Sequence, residues 1–277
     1  MKRTIAFIAA LLCIGAVVTA CSGTDNASAN EPASAGDRAD KTEIVVFAAA
    51  SMTETLEELA DIYTAAHPDV KLTYNFDSSG TLKTQIEEGA VCDLFISAAQ
   101  KQMNGLDEGG YIDDATRVDL LENKVALCVA ENSKADIKSY DDMKDHLLAG
   151  DILMAIGNED VPVGQYTQKI FAYYGLDEQA LADSGVLTYG SNVKEVTTQV
   201  AEGSVDCGVI YQTDAYSANL KVTDTATEEM CGKVIYPAAV LKESKSAEAA
   251  KAFLDYLQTE EASAVFEKVG FTPLATQ

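Results

Sequence analysis

The chain has 277 residues, with 44 acidic against 20 basic side chains and a net charge of −24. So acidic a surface excludes nucleic acid as a natural partner, because binding there depends on cations facing phosphates. Apolar residues make up 47% and Trp is absent, which fits a soluble, monomeric chain long enough for one large domain or two small ones.

Lys2-Arg3 precede an apolar run from Ile5 to Val18, which ends in Val18-Thr19-Ala20-Cys21. A basic start, an apolar core and a small residue before the cut predict an export signal over residues 1–20. The run is too short for a comfortable membrane span. Its Val-Thr-Ala-Cys ending resembles the bacterial lipobox. That implies an acylated Cys21 as the mature N-terminus, anchoring the protein to the outer face of the cell membrane. Plain cleavage near Ala20, with Cys21 an incidental thiol, is the alternative. Residues 21–40 are mostly small and polar, without apolar periodicity, and read as a flexible tether.

Glu43-Ile44-Val45-Val46-Phe47 is a β-branched and aromatic run, read as a buried strand. It breaks into Ala48-Ala49-Ala50-Ser51, and an amphipathic helix follows through Leu56, Leu59, Ile62 and Tyr63 until His67-Pro68 stops it. Val70–Phe76 reads as a second strand, and Asp77-Ser78-Ser79-Gly80-Thr81 leads into a helix through Leu82 and Ile86 to Gly89. Val91–Ala98 is a third strand, with a helix around Met103–Leu106, and Val125–Ala130 is a further strand. Asp151–Gly157 reads as a strand, Asn158–Gly164 as a loop, and Gln165–Tyr174 as a helix ended by Gly175. Lys233–Val240 is a strand whose Pro237 predicts an edge or a crossover between lobes. A last helix spans Ala247–Lys268. Strands alternating with helices predict an α/β fold of mainly parallel sheets, whose ligands sit beyond the carboxyl ends of the strands.

One internal echo stands out. Thr84-Gln85-Ile86-Glu87-Glu88-Gly89-Ala90-Val91 matches Thr198-Gln199-Val200-Ala201-Glu202-Gly203-Ser204-Val205. Each then runs through a Cys and an Asp, in opposite order, into a strand. Such a repeat predicts two lobes of similar build, with Ser97-Ala98 in one opposite Tyr211-Gln212 in the other. Four cysteines remain after the leader: Cys92, Cys128, Cys207 and Cys231, with no Cys-x-x-Cys pair and no neighbouring His to support zinc. Cys92, Cys128 and Cys207 lie in strand-like runs as small hydrophobes, while a Cys128–Cys231 disulfide stays open.

Ser51 sits where a strand hands over to a helix N-terminus, where backbone N–H groups lack partners and the helix dipole favours an anion. An ordinary capping serine is the alternative. Ser78-Ser79-Gly80, Ser97-Ala98, Val161-Pro162-Val163-Gly164 and Tyr211 offer more hydroxyls and N–H groups, with no Arg, Lys or His among them. Donors without formal charge suit a fully ionised oxyanion held in a dry cleft. A donor-only pocket also rejects an oxyanion that carries a proton, because that proton needs an acceptor.

Phe47–Met52, Phe76–Leu82, Asp93–Ala98, Val161–Tyr166 and Gly208–Ala215 resemble, in order and spacing, the successive motifs of the molybdate-binding proteins of ABC transporters. The resemblance covers essentially all of the chain from Lys41 to Thr272. It implies a two-lobed periplasmic-binding-protein fold, class II-like, with the ligand in the interlobe cleft. Residues 41–125 plus 236–277 would form one lobe and 126–235 the other. By the same resemblance the oxyanion, molybdate or tungstate, is held by the hydroxyl and N–H of Ser51 and Ser79, the N–H of Ala98 and of Val161, and the Tyr211 hydroxyl. That molybdenum site needs no separate cofactor, and the partners implied are the permease subunits of the transporter. Gly80 stands where the family often has a third serine, which makes Ser78 a substitute candidate for Ser79.

Sulfate or phosphate is the rival ligand within this class. An enzyme on the same fold is a second class, for which Ser191-Asn192-Val193-Lys194 offers a Ser-x-x-Lys pattern without its companion motifs. His67 and His146 are not at strand ends, which speaks against a Ser–His pair. A surface adhesin would fit the anchor and tether, but does not require the five loops.

Overall fold

The computed structural model describes residues 41–274; the predicted signal, Cys21 and the tether lie outside the described residues. The chain runs β1 (Thr42–Ala49), α1 (Thr53–Ala66), β2 (Val70–Asp77), α2 (Ser79–Glu87), β3 (Leu94–Ile96) and α3 (Gln100–Glu108). Two strands follow back to back, β4 (Val118–Asn123) and β5 (Val125–Val129), separated by Lys124 alone. Next come α4 (Tyr140–Ala149), β6 (Met154–Gly157), α5 (Pro162–Tyr174), α6 (Glu178–Asp183), β7 (Leu187–Gly190) and α7 (Val193–Ala201). After these are β8 (Cys207–Tyr211), α8 (Gln212–Ser217), β9 (Val222–Thr225), α9 (Glu228–Cys231) and β10 (Val234–Val240). α10 (Ala247–Tyr256), α11 (Glu260–Val269) and β11 (Thr272–Pro273) complete the described chain.

The strands form two sheets, ordered β11-β4-β10-β3-β1-β2 and β7-β6-β8-β5-β9. Leaving out β11, the two orders are the same scheme. β1 pairs parallel with β2 and β3, and β10 runs antiparallel between β3 and β4. β6 likewise pairs parallel with β7 and β8, and β5 runs antiparallel between β8 and β9. The echo seen in the sequence falls on α2 leading to β3 and on α7 leading to β8. Its two aspartates do the same work. Val45 N–H donates to Asp93 Oδ2 (2.8 Å) while Asp93 N–H donates to Val45 O (2.8 Å). Leu153 N–H donates to Asp206 Oδ2 (2.9 Å) while Asp206 N–H donates to Leu153 O (2.8 Å). Each aspartate ties the start of one strand, β3 or β8, to its parallel neighbour, β1 or β6.

The chain passes from one sheet to the other at Lys124, and returns between β9 and β10. Pro237 lies on a strand in the interior of its sheet. It is tolerated there because the register shifts between Tyr236 and Pro237, a bulge that leaves its missing N–H without a ladder partner. The predicted single helix from Ala247 to Lys268 is two helices. Thr259 breaks it by capping α11, its side chain accepting from Ala262 N–H at 3.3 Å. α5 begins at Pro162, three residues before the predicted start, since Pro at the first helical position loses no hydrogen bond. Cys92, Cys128, Cys207 and Cys231 are buried free thiols, which closes the open question of a Cys128–Cys231 bridge. Burial pushes the Cys207 thiol up to about 12 and that of Cys128 also to about 12.

The start of α5 presses on the end of β6. A Cβ on Gly164 would lie 2.3 Å from Asn158 O and 2.4 Å from Gly157 O, both backbone atoms that no rotamer change can clear. Gly164→Ala should cost about 1–3 kcal/mol in denaturant unfolding; an unchanged midpoint would show that the helix start has room to shift.

Candidate functional site

The carboxyl ends of β1, β2, β3, β6, β7 and β8 converge on one small cavity. Its lining includes Ala50, Ser51, Asp77, Ser79, Ala98, Val161, Val163, Val193 and Tyr211, drawn from both sheets. The cavity volume between these atoms is about 10 Å³, room for roughly one water-sized molecule. That is below the roughly 300–1,000 Å³ of pockets built for drug-sized molecules. The cavity suits a small ion.

All five residues singled out from the sequence therefore meet at one place, but not in equal roles. Ser51 occupies a short 3-10 turn, Ala50–Met52, ahead of α1 and makes no capping bond. Its Oγ instead lies 2.9 Å from Tyr236 Oη. Ser78, the substitute candidate, is the cap: its Oγ accepts from Thr81 N–H at 3.1 Å and contacts Thr81 Oγ1 at 2.9 Å. Ser79, fully buried as the first residue of α2, keeps its hydroxyl at the cavity. Tyr211 is 1% exposed and its Oη has no hydrogen-bond partner among the described residues. Burial holds its phenol well above the ordinary range, so it keeps its proton and can donate.

Of the four backbone amides expected from the sequence, those of Ser51, Ser79, Ala98 and Val161, the last two are already in use. Ala98 N–H donates to Ser79 Oγ at 3.0 Å, and Val161 N–H donates to Asn158 O at 3.1 Å. Each carries a single hydrogen, so neither is free for a ligand in this arrangement. Ala98 acts through Ser79 instead: it fills a lone pair of that hydroxyl and leaves the hydroxyl hydrogen for the cavity. Ser79 N–H, at the first residue of α2, is unspent as expected, and two further unspent amides belong to Val163, second residue of α5, and Val193, first residue of α7. Helix geometry gives neither an acceptor within its own helix. Both side chains' residues line the cavity, and both helix dipoles point their positive ends at it. Val163 was legible in principle, since a Pro at the first helical position leaves the next N–H orphaned. Val193 was hidden inside the stretch read as Ser-x-x-Lys, behind its capping Asn192, which accepts from Glu195 N–H at 3.1 Å.

Several contacts cross the cavity mouth between elements of the two sheets. Lys194 Nζ reaches from α7 to both Glu54 oxygens on α1 at 2.8 Å, and to Asp214 Oδ1 on α8 at 3.2 Å. Asn192 Nδ2 donates to Asp77 Oδ1 at 3.3 Å. Gly80 meets the Asp160 backbone so closely that a Cβ there would lie 2.2 Å from Asp160 O, so a serine at this position would force the two loops apart. Burial pulls the Lys194 ammonium down, but Asp214 and Glu54 outweigh it and hold it above the ordinary range. A protonated, doubly paired Lys194 cannot be the base of a Ser–Lys pair. His67 stacks on Tyr63 and His146 pairs with Asp151 at 2.9 Å; neither lines the cavity.

Comparison with known proteins is consistent over most of the chain. The family described as bacterial extracellular solute-binding protein matches residues 44–272. A provisionally named ABC transporter substrate-binding lipoprotein of Bacillus subtilis (strain 168), YvgL, is 33% identical over 98% of each chain. The molybdate-binding protein ModA of Escherichia coli (strain K12) is 35% identical over 84% of this chain and 90% of its own. The substrate-binding domain of a provisionally assigned molybdenum ABC transporter from Clostridium difficile superposes with a TM-score of 0.62. It is 34% identical and covers 84% of this chain and all of its own.

Asp214 is fully buried, and burial pushes its carboxyl up to about 6 although Lys194 pulls the other way. Between about pH 4 and pH 6 the folded state then holds a proton that the unfolded state has lost, so this group's contribution to stability falls as pH rises, by up to about 3 kcal/mol. Asp214→Asn lacks that titration. Its stability relative to the unmodified protein should rise from about pH 4 to pH 7 in thermal unfolding; a difference independent of pH would contradict the burial effect.

Proposed function

Because the chain belongs to the bacterial extracellular solute-binding proteins, we propose that it captures molybdate, and the nearly isosteric tungstate, for an ABC transporter. The observation that carries this reading is the donor set of the cavity. Two serine hydroxyls, one buried phenol and helix-opening amides face one tightly closed space with no Arg, Lys or His in its lining, and the one carboxylate there, Asp77, has its Oδ1 turned to Ser78 N–H and Asn192 Nδ2. Such donors fit a compact, fully deprotonated tetrahedral oxyanion, and charge-assisted bonds to it net about 1.5–3 kcal/mol each. Two relatives whose names mention molybdate or molybdenum, at 35% and 34% identity, support that choice of oxyanion.

The proposed ligand-holding groups are Ser51, Ser79, Tyr211 and the N–H groups of Val163 and Val193. Ala98 and Val161 become supports, the first through Ser79 and the second as the cap residue of α5. Capture is a closure of two lobes over the anion, with the Glu54–Lys194 and Asp77–Asn192 contacts formed on closing. Release would be to permease subunits, with the transport energy supplied by a separate ATPase. The protein performs no chemistry on its ligand. Acylated Cys21 and the tether would hold the domain outside the cell membrane as a monomer, which accords with the lipoprotein name of the Bacillus subtilis relative. No helix among the described residues is long and apolar enough to cross a membrane.

Calorimetric titration of the purified protein tests this directly. Molybdate and tungstate should bind one to one, and sulfate about a thousandfold more weakly, a difference of about 4 kcal/mol. Tight sulfate binding would keep the fold and overturn the ligand. Ser51→Ala and Ser79→Ala should each weaken molybdate binding by about 1–3 kcal/mol; full-strength binding by both would remove them from the site.

A further inference from the structure

The sequence left open how the Ser51 hydroxyl is oriented, and the residues behind it answer that. Asn123, the last residue of β4, Tyr236 on β10 and Thr213 on α8 are all buried, and none of them lines the cavity. Asn123 Oδ1 accepts from Lys124 N–H at 2.8 Å. Since a backbone N–H can only donate, that contact fixes which end of the amide is oxygen. The other end, Nδ2, then donates its two hydrogens, one to Thr213 Oγ1 at 2.9 Å and one to Tyr236 Oη at 3.2 Å. Tyr236 Oη therefore accepts, and its own single hydrogen is free to go to Ser51 Oγ at 2.9 Å. Burial keeps the Tyr236 phenol far above its ordinary range, so that hydrogen is present. Ser51 accepts it and has its own hydrogen left for the cavity.

We infer that Asn123 and Tyr236 are positioning residues that hold Ser51 as a donor and thereby make the cavity reject oxyanions that carry a proton, hydrogen phosphate above all. This rests on the oxyanion-binding reading above and adds what sets its selectivity. Should Ser51 turn its hydrogen back to receive a ligand proton, Tyr236 Oη would face two donors and its own hydrogen would have only the poorly placed Tyr211 Oη as an acceptor. In a buried chain such a reversal is unfavourable at every link. Ala98 N–H on Ser79 Oγ imposes the same polarity on the second serine. Both hydroxyls are thus set to give hydrogens to the ligand.

Two variants read this out, each titrated with molybdate, sulfate and inorganic phosphate at about pH 8, where phosphate is mainly the monoprotonated dianion. Tyr236→Phe removes the hydrogen that Ser51 accepts. Asn123→Asp is isosteric and turns the donor at the head of the chain into an acceptor, so Tyr236 donates back to it and Ser51 turns its lone pairs to the cavity. Its added charge opposes dianions of equal charge alike and cancels in the ratio of two affinities. In each variant molybdate affinity should fall about tenfold, and the ratio of molybdate to phosphate affinity should also fall at least tenfold. Parallel losses for both anions, leaving the ratio unchanged, would reduce Tyr236 and Asn123 to structural supports and overturn the inference. If Tyr236→Phe does not fold, the isosteric Asn123→Asp decides alone. Should the unmodified protein prefer sulfate, the molybdate reading fails separately, and the inference is judged on the ratio of sulfate to phosphate.

Discussion

A buried hydroxyl has one hydrogen to give, and the whole cavity depends on where that hydrogen points. An anion brought out of water must find donors already aimed at it, or the desolvation cost is not recovered. Here each serine has its acceptor side filled from behind, Ser79 by the Ala98 amide and Ser51 by the Tyr236 phenol. The amides of Val163 and Val193 are aimed by the helices they open. The groups proposed to face the anion gain their direction from the hydrogen bonds and helices behind them.

The same arrangement would reconcile an acidic protein with the proposed anionic ligand. A net charge of −24 repels anions at long range, and Asp77, Asp214 and Glu54 lie close to the cavity. Helix dipoles and oriented N–H groups fall off within a turn, so they act only on an ion already seated. Lys194, the nearest cation, is spent between Glu54 and Asp214 across the cavity mouth. It supports the joining of the two sheets more than the holding of the anion. The doubled topology follows from the same need, since strand ends from two sheets must face each other to surround a small ion.

Much of the fold was legible because it rests on local patterns. Alternating strands and helices, the stop at His67-Pro68 and the echo between Thr84–Val91 and Thr198–Val205 all correspond to observed elements. The echo extends to the hydrogen bonds of Asp93 and Asp206. Less legible were the elements with weak patterns. β7 is four residues long and ends in Gly190, and its handover to α7 was masked by a Ser-x-x-Lys match. Thr259 divides the last helix through a capping bond that apolar periodicity does not register. In the site, the loops could be found but their free N–H groups could not. Ala98 and Val161 lie on the correct loops, yet hydrogen bonds to Ser79 and Asn158 consume their amides. Tyr236 and Asn123 escaped notice because their role exists only through contacts 185 and 113 residues apart in sequence.

The most direct test of the oxyanion cavity is a crystal structure of the protein with molybdate, the metal located by its anomalous scattering. The metal should sit between Ser51, Ser79 and Tyr211, with oxygens within hydrogen-bond distance of the Val163 and Val193 N–H groups and Ala98 N–H still on Ser79 Oγ. Metal density outside this cavity, or Ala98 and Val161 amides turned onto the anion in place of Val163 and Val193, would contradict it.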